Sequence, residues 1–330
     1  GPPPNLNRLS LMRWAAKNPP IDPHLTFAGK TILVTGANAG LGYEAAVKYA
    51  QKSVSRLILA VRSLPKGEAA KKSIITRSGR TDDFITILTV DLTSFASVQS
   101  FVTILEKETK ELHIALLNAG IAAPSFEKLD TGYEKAVQVN VLSTALMAVL
   151  LLPLLRRTAE STGSDSHLTF VNSNGHIWVD KSSYIKTHNG SLLQHLNDPK
   201  TFALEHSYCG VKLLGMSVLK RVAKAEERRT PSRVIVNACC PGLCKTELGR
   251  EFAKPLQWVN NAMQYFTART AEQGARTLVG ATALGRESMG AFWHYDVLHP
   301  VNDIVNDEKE MAKMWEDIAG VVRKVQPDLD

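Results

Sequence analysis

Short apolar segments alternate with longer helix-like stretches along most of this chain, and that alternation is the feature that most constrains its fold. Seven segments are predicted to be strands because they are rich in β-branched residues and end in turn residues. They are TILVT (31–35), RLILAV (56–61), ITILTV (85–90), HIALLN (113–118), HLTFVN (167–172), RVIVNAC (233–239) and GAFWHY (290–295). Nearly all are apolar on both faces, which is typical of parallel strands covered by helices on each side. We therefore predict an α/β fold with a doubly wound, mostly parallel, seven-stranded sheet and helices on both faces.

The chain between these strands contains no linker rich in Pro, Gly or Ser, so we expect residues 29–330 to form a single domain. Residues 1–28 are expected to be an N-terminal extension with a short amphipathic helix. Two long excursions, 178–205 and 243–269, are interpreted as insertions on the ligand side, since long loops in compact domains often bind ligands. Residues 296–330 are predicted to be a helical C-terminal extension. The remaining helices are expected around 41–52, 66–77, 95–109, 131–157, 206–228 and 270–285.

Composition narrows the classes of partner. The formal net charge of +7 is spread along the chain in short clusters, so we expect no nucleic-acid partner, although an anionic ligand would suit it. The most apolar run, 141–155, is too short to span a bilayer and contains polar residues and Pro153, so we expect a buried helix and no transmembrane segment. Four cysteines fit neither a disulfide framework nor a metal site, which favours a reducing, cytoplasmic location without a metal. They are Cys209, Cys239, Cys240 and Cys244.

A glycine-rich turn follows the first strand in TILVTGANAGLGYEAA (31–46). Gly36 permits a tight exit from the strand, while Gly40 and Gly42 allow a helix N-terminus to approach a pyrophosphate. The spacing differs from the general dinucleotide fingerprint, but the same physical reasons apply. The turn therefore predicts a single-domain Rossmann fold that binds a dinucleotide.

The end of the second strand indicates which dinucleotide is bound. A protein that prefers NAD places an acidic residue there to bind the ribose hydroxyls, whereas this chain has Arg62, followed by Lys66. An arginine can bind a 2′-phosphate through charge-assisted hydrogen bonds. We therefore predict NADP(H) as the cofactor.

With these residues in hand, the chain resembles the short-chain dehydrogenase/reductase family, most closely its retinol-dehydrogenase-like branch and fungal reductases of secondary metabolism. The resemblance covers about residues 30–295 and includes TGANAGLG (35–42), VDLTS (90–94), NAG (118–120), QVNVLS (138–143), VNSNGH (171–176), YCGVK (208–212) and PGLCKT (241–246). It implies that the cofactor is bound by Gly36, Asn38, Gly40, Leu41, Gly42, Arg62, Lys66, Asp91, Leu92, Asn118, Ala119, Gly120, Tyr208, Lys212, Pro241, Gly242, Leu243 and Thr246. The catalytic residues implied by the family pattern are Asn140, Ser173, Tyr208 and Lys212.

Tyr208 and Lys212 would lie one turn apart on one face of a helix. A free tyrosine loses its proton only near pH 10, and we expect the neighbouring ammonium group to lower that pKa. The resemblance implies that Ser173 would bind the carbonyl oxygen of the substrate and that Asn140 would help to hold a water next to the lysine. Many relatives have two serines where this chain has Asn172 and Ser173. We interpret Ser173 as the catalytic match and Asn172 as a structural substitution.

The substrate is expected to be a hydrophobic or aromatic ketone or aldehyde, reduced by NADPH in secondary metabolism. Its candidate contacts are His176, Trp178, Trp258 and Phe266. Aromatic residues in these segments would also suit a helix that packs on the body of the domain. An alcohol-oxidising dehydrogenase and a non-redox dehydratase or cyclase remain alternatives, and a non-catalytic NADP-binding regulator is a more remote one. The apolar helices match those that pair between subunits in relatives, so a homodimer is also open.

Overall fold

The computed structural model describes residues 1–3, 6–81, 83–180, 190–231, 233–245 and 268–327. Its helices are α1 (Arg8–Lys17), α2 (Gly40–Gln51), α3 (Leu64–Ser78), α4 (Phe95–Glu108), α5 (Lys135–Thr162), α6 (Leu192–Leu196), α7 (Leu204–Glu227), α8 (Ala271–Ala281), α9 (Asp303–Asn306) and α10 (Glu308–Val325). Its strands are β1 (Thr31–Thr35), β2 (Arg56–Val61), β3 (Ile85–Thr89), β4 (Ile114–Leu117), β5 (Ser166–Val171), β6 (Val234–Cys239), β7 (Phe292–His294) and β8 (Val297–Leu298).

These strands form one sheet in the order β3-β2-β1-β4-β5-β6-β7-β8, in which the first seven are parallel. Buried apolar clusters lie on both faces of the sheet, under the flanking helices. The strand order reverses between β1 and β4. In such sheets, ligands bind beyond the carboxyl ends of the strands at this reversal. The predicted α/β Rossmann fold is confirmed.

The sheet has eight strands rather than the predicted seven. The extra strand, β8, pairs antiparallel with β7 through a turn formed by Tyr295 and Asp296. Both turn residues have positive φ angles, 53° and 56°, as a tight two-residue hairpin requires. Gly or Asn normally marks such a turn, and the Tyr-Asp pair gives no such signal in the sequence.

The apolar run 141–155 lies inside α5. Among the described residues, α5 is the one helix long and apolar enough to cross a membrane by length and composition. The helix is longer than the apolar run, because it continues past both ends of the run to a total of 28 residues. However, 72% of its most apolar window is buried in the fold, as expected of a core helix.

Candidate active site

The glycine turn between β1 and α2 has the conformation that its sequence predicts. Gly36 and Gly40 have φ angles of 66° and 57°, which residues with a side chain rarely adopt. A Cβ atom on Gly42 would lie 2.4 Å from Asn118 Nδ2 and 2.5 Å from the Gly36 carbonyl oxygen. The N-cap residue of α2, Ala39, provides no side-chain acceptor. The N–H groups of the first turn are therefore available to an anion.

A cleft of about 250 Å³ opens beside this turn. Most of the predicted cofactor residues line it: Gly36, Asn38, Gly40, Leu41, Arg62, Asp91, Leu92, Asn118, Ala119 and Gly120. Gly42 lies behind the turn, where it permits close packing. Lys66 is exposed in the first turn of α3 and is not among the lining residues. The cleft, the glycines and the uncapped helix suit a dinucleotide, with Arg62 the charged side chain at the β2 end.

Thr35, which the sequence reasoning did not single out, holds the β4 end of this cleft. Its hydroxyl oxygen accepts hydrogen bonds of 2.9 Å from the N–H groups of Asn118 and Ala119. The Asn118 amide in turn donates to the Thr35 carbonyl at 2.9 Å. The signal was visible as the polar last residue of an otherwise apolar strand.

Asn140 lies in a π-helical segment, Gln138–Leu142, within α5. Such segments often occur at functional sites. Its side-chain oxygen accepts from the Ile121 N–H at 2.8 Å, and its amide donates to the Ile121 carbonyl at 2.9 Å. A Cβ on Gly120 would lie 2.9 Å from the same oxygen. Asn140 therefore holds the loop after β4 against α5, using both polar ends of its side chain.

Ser173 follows β5, and its hydroxyl oxygen accepts from the Gly175 N–H at 3.1 Å. A Cβ on Gly175 would lie 3.2 Å from the Tyr208 ring and 3.5 Å from the Ser173 hydroxyl oxygen, so the two side chains are neighbours. Tyr208 and Lys212 lie one turn apart on α7, with the Lys212 ammonium 5.6 Å from the centre of the Tyr208 ring. Asn172 accepts from the Ser173 N–H at 2.8 Å and donates to the Lys212 carbonyl at 3.1 Å. Asn172 thus joins the serine to the helix that carries the tyrosine and lysine, which is a structural role.

The pKa values of Tyr208 and Lys212 are shifted by their surroundings. Desolvation raises the pKa of Tyr208 to about 12, against a smaller lowering effect of the neighbouring Ser173 hydroxyl. The expectation that this pKa is lowered is therefore wrong, because burial is the dominant effect. Desolvation also lowers the pKa of Lys212 to about 8, which the Cys240 thiol opposes. The Tyr208 hydroxyl therefore keeps its proton at neutral pH, whereas Lys212 titrates about one unit above neutral pH.

A second cavity of about 710 Å³ contains these groups and shares Leu41, Asn118 and Gly120 with the cofactor cleft. The four predicted catalytic residues line it: Asn140, Ser173, Tyr208 and Lys212. Apolar side chains provide most of the remaining wall. Pro241, Gly242 and Leu243 line this cavity rather than the cleft. The two spaces therefore meet at these shared residues, near the carboxyl end of the sheet.

The predicted substrate contacts differ in their positions relative to the cavity. Trp178 lines the cavity and is 45% exposed. His176 does not line it: the ring is fully buried against Phe292, and its Nδ1 lies 2.7 Å from the Ser173 carbonyl oxygen. The assignment of His176 to the substrate is therefore wrong. Trp258, Phe266 and Thr246 lie outside the described residues.

Several cavity residues were missed by sequence reasoning. Leu9, Leu11, Met12 and Ala15 of α1 line it, as do His294 and Tyr295 near the β7–β8 turn. The amphipathic pattern of α1 indicated packing but not its location. Across the described ranges, no three His, Cys, Asp or Glu side chains converge to hold a metal ion. The four cysteines are buried and form no disulfide within the described residues.

Comparison with known proteins places this geometry in a family. The sequence profile of short chain dehydrogenases matches residues 30–174. A short-chain dehydrogenase/reductase of Aspergillus flavipes is 42% identical, covering 99% of this chain and 96% of the relative. One of Phaeosphaeria nodorum is 39% identical, with 96% and 94% covered.

Solved structures have the same fold at low sequence identity. The Pseudomonas aeruginosa RhlG/NADP active-site complex has a TM-score of 0.63 at 20% identity, covering 84% of this chain and 98% of that one. The carbonyl reductase Sniffer of D. melanogaster has a TM-score of 0.58 at 20% identity, with 83% and 99% covered. The retinol-dehydrogenase-like branch stays a prediction. The full-length similarity to the fungal relatives, together with the glycine turn and the Ser173, Tyr208 and Lys212 site, shows that this chain belongs to the short-chain dehydrogenase/reductase family of oxidoreductases.

Proposed function

We propose that this protein is an NADPH-dependent reductase of a ketone or aldehyde carried by a hydrophobic small molecule. The observation that carries the proposal is the Tyr208 side chain, next to Ser173 in an apolar cavity that meets the dinucleotide cleft. Apolar walls with a few convergent polar groups suit a hydrophobic ligand better than a sugar. The fungal relatives accord with a role in secondary metabolism.

The protein groups supply a proton and position the carbonyl. When bound, the dinucleotide supplies a hydride to the carbonyl carbon. Ser173 and Tyr208 donate hydrogen bonds to the carbonyl oxygen, where negative charge develops. Tyr208 then transfers its proton to that oxygen, giving the alcohol and a phenolate. Lys212 stabilises this phenolate as a cation until solvent returns the proton.

The raised pKa of Tyr208 suits this direction of reaction. A hydroxyl with a pKa of about 12 is fully protonated at neutral pH, yet it is a stronger acid than an ordinary alcohol. Proton transfer to the developing alkoxide is therefore favourable. In the opposite direction, the same group would have to begin as a phenolate, which burial disfavours.

Arg62 supports NADP(H) over NAD(H). It is exposed in the cleft at the end of β2, where an NAD-binding protein would have a carboxylate. Replacing Arg62 by Glu should weaken NADPH binding roughly a hundredfold and affect NADH little, as measured by fluorescence titration. Lys66→Ala, outside the cleft lining, should change the ratio of the two affinities less. An unchanged ratio in Arg62→Glu would contradict the assignment.

The acid–base role is tested with Tyr208→Phe, which removes one oxygen atom. NADPH oxidation with a panel of aromatic and terpenoid ketones should fall by roughly a thousandfold. Tyr43→Phe is the matched control, because its hydroxyl binds Ser73, and Tyr43 lines neither the cleft nor the cavity. Deuterium from labelled NADPH should appear on the product carbinol carbon. Label that stays in the cofactor, or full activity in Tyr208→Phe, would overturn the proposal.

The remaining expectations extend the proposal. We infer that residues 29–330 form one catalytic domain, with 178–205 and 243–269 on the substrate side. A homodimer and a cytoplasmic location stay predictions, and sedimentation analysis and fluorescent tagging would test them.

A further inference from the structure

The N-terminal helix α1 forms part of the wall of the catalytic cavity. Leu9, Leu11, Met12 and Ala15 line the cavity, whereas Arg13 is exposed on the same helix. Leu9 is 49% exposed, which places an apolar side chain at the edge of the cavity. One face of α1 is therefore directed at the substrate space.

A single buried arginine holds the end of α1 at that wall. Arg269 is 2% exposed and donates to the Ala15 carbonyl at 2.8 Å, the Asn18 carbonyl at 2.9 Å and the Pro241 carbonyl at 3.2 Å. Carbonyl groups at a helix C-terminus lack partners within the helix and attract a cation. The same guanidinium group therefore links α1 to the 241–243 loop, which also lines the cavity.

Tyr295 completes this support. Its ring lies 5.7 Å from Trp14 of α1 in an edge-on contact, and the Arg269 guanidinium lies 5.4 Å from its centre. Its φ angle of 53° is unfavourable for a bulky residue and persists only where neighbouring contacts impose it. Strain at this position is offset by contacts that hold α1 in place. Asp296 contributes a further link by accepting from the Ile21 N–H at 3.1 Å.

We propose that α1 determines specificity, with Leu9, Leu11 and Met12 setting the size of the apolar group that the substrate carries next to its carbonyl. This role of α1 deepens the proposed function, and it rests on that function for the identity of the reacting group as a carbonyl. The substrate class is a carbonyl compound with an extended alkyl, terpenoid or aryl group that reaches α1. Arg269 and Tyr295 are positioning residues, since they act through the helix.

The test uses full-length protein and a series of phenyl ketones with lengthening alkyl chains. Met12→Trp adds bulk inside the cavity, so it should raise KM for the longest ketone roughly tenfold or more and leave acetophenone within about twofold. Met12→Ala should extend the series to longer members. Arg13→Ala, on the exposed face of α1, should match the wild type. Equal effects on short and long ketones, or none, would overturn the proposal.

A binding measurement separates this proposal from the reductase assignment. Nile red, an apolar fluorophore, should bind the wild type and Arg13→Ala but bind Met12→Trp at least tenfold more weakly. NADPH affinity should be equal in all three proteins. If no ketone is reduced while dye binding follows this pattern, the reductase proposal fails and the role of α1 stands. If ketones are reduced but neither dye affinity nor chain-length preference responds, the role of α1 fails.

Misfolding of the Met12 variant would be revealed by a lowered Tm and lost NADPH binding. Leu9→Trp then serves as the second variant, because its half-exposed position accommodates bulk at the edge of the cavity. It should also shift the preference towards short ketones. Unaltered preference in a folded Leu9→Trp protein would refute the proposal.

Discussion

Replacing Lys212 by Met should stabilise the cofactor-free protein while abolishing its activity. The lysine is half-buried in the catalytic cavity, and desolvation lowers its pKa from 10.5 to about 8. Below pH 8 the folded protein therefore bears the cost of a charge that burial disfavours. Methionine has a similar length and carries no charge, so the substitution removes that cost.

The magnitude follows from the pKa change. A fall from 10.5 to about 8 corresponds to about 3.5 kcal/mol, since each pKa unit is worth about 1.4 kcal/mol. A chain of 330 residues has an unfolding entropy of roughly 0.7 kcal/mol per kelvin. The expected increase in Tm is therefore about 5 °C at neutral pH.

The pH dependence gives the sharper test. Below about pH 8 the lysine is charged in both folded and unfolded chains, and the full cost is present. Between pH 8 and 10.5 only the unfolded chain keeps the proton, so wild-type stability rises relative to the variant. The Tm advantage of Lys212→Met should therefore be largest at pH 7 and shrink towards zero near pH 10.5.

Thermal unfolding followed by circular dichroism measures both quantities. Lys107→Met is the matched control, because Lys107 is exposed on α4, and its Tm should stay within about 1 °C of the wild type. A Lys212→Met protein no more stable than the wild type at pH 7 would refute the reasoning. An advantage that persists undiminished at pH 10.5 would refute it equally.

Three further results are expected. The kcat/KM for ketone reduction should be constant from pH 6 to 7.5 and decline above about pH 8 as Lys212 loses its charge; a rise through pH 9 would contradict this. Gly42→Ala should weaken NADPH binding at least tenfold in fluorescence titrations, because its new methyl group would lie 2.5 Å from a carbonyl oxygen. The control Gly320→Ala has no neighbour within 4 Å, so it should leave NADPH binding unchanged and raise the free energy of unfolding by about 0.5–1 kcal/mol. Glu226→Gln should lower the free energy of unfolding by about 2 kcal/mol in urea titrations and leave KM unchanged, because fully buried Glu226 forms a two-point ion pair with partly exposed Arg156. A variant as stable as the wild type would show that this ion pair does not stabilise the fold.

The sheet was predictable because its pattern depends on local chemistry. A parallel strand covered on both faces must be apolar throughout, so β1 and β2 were located residue for residue at 31–35 and 56–61. The glycine turn was equally readable, since Gly36 and Gly40 take positive φ angles that other residues avoid. The predicted catalytic residues came from the order of family motifs, and the structure brings all four into one cavity.

The parts that escaped prediction depend on contacts between distant segments. Tyr295 has no sequence signal for a positive φ angle, because its conformation is imposed by the residues packed around it. Two of the three acceptors of Arg269 are backbone carbonyls about 250 positions earlier, and a backbone carbonyl carries no sequence identity. The raised pKa of Tyr208 likewise reflects how deeply the fold buries it, whereas the Tyr-Lys spacing alone indicated the opposite sign.

These unpredicted contacts meet at one part of the molecule, the protein wall around Tyr208 and Lys212. Burial by that wall raises the pKa of Tyr208 and lowers that of Lys212. Part of that wall is α1, held by Arg269. A change that displaces α1 should therefore admit water and move both pKa values towards their ordinary values. Specificity and acid–base chemistry thus depend on the same helix, although α1 contributes no reacting group.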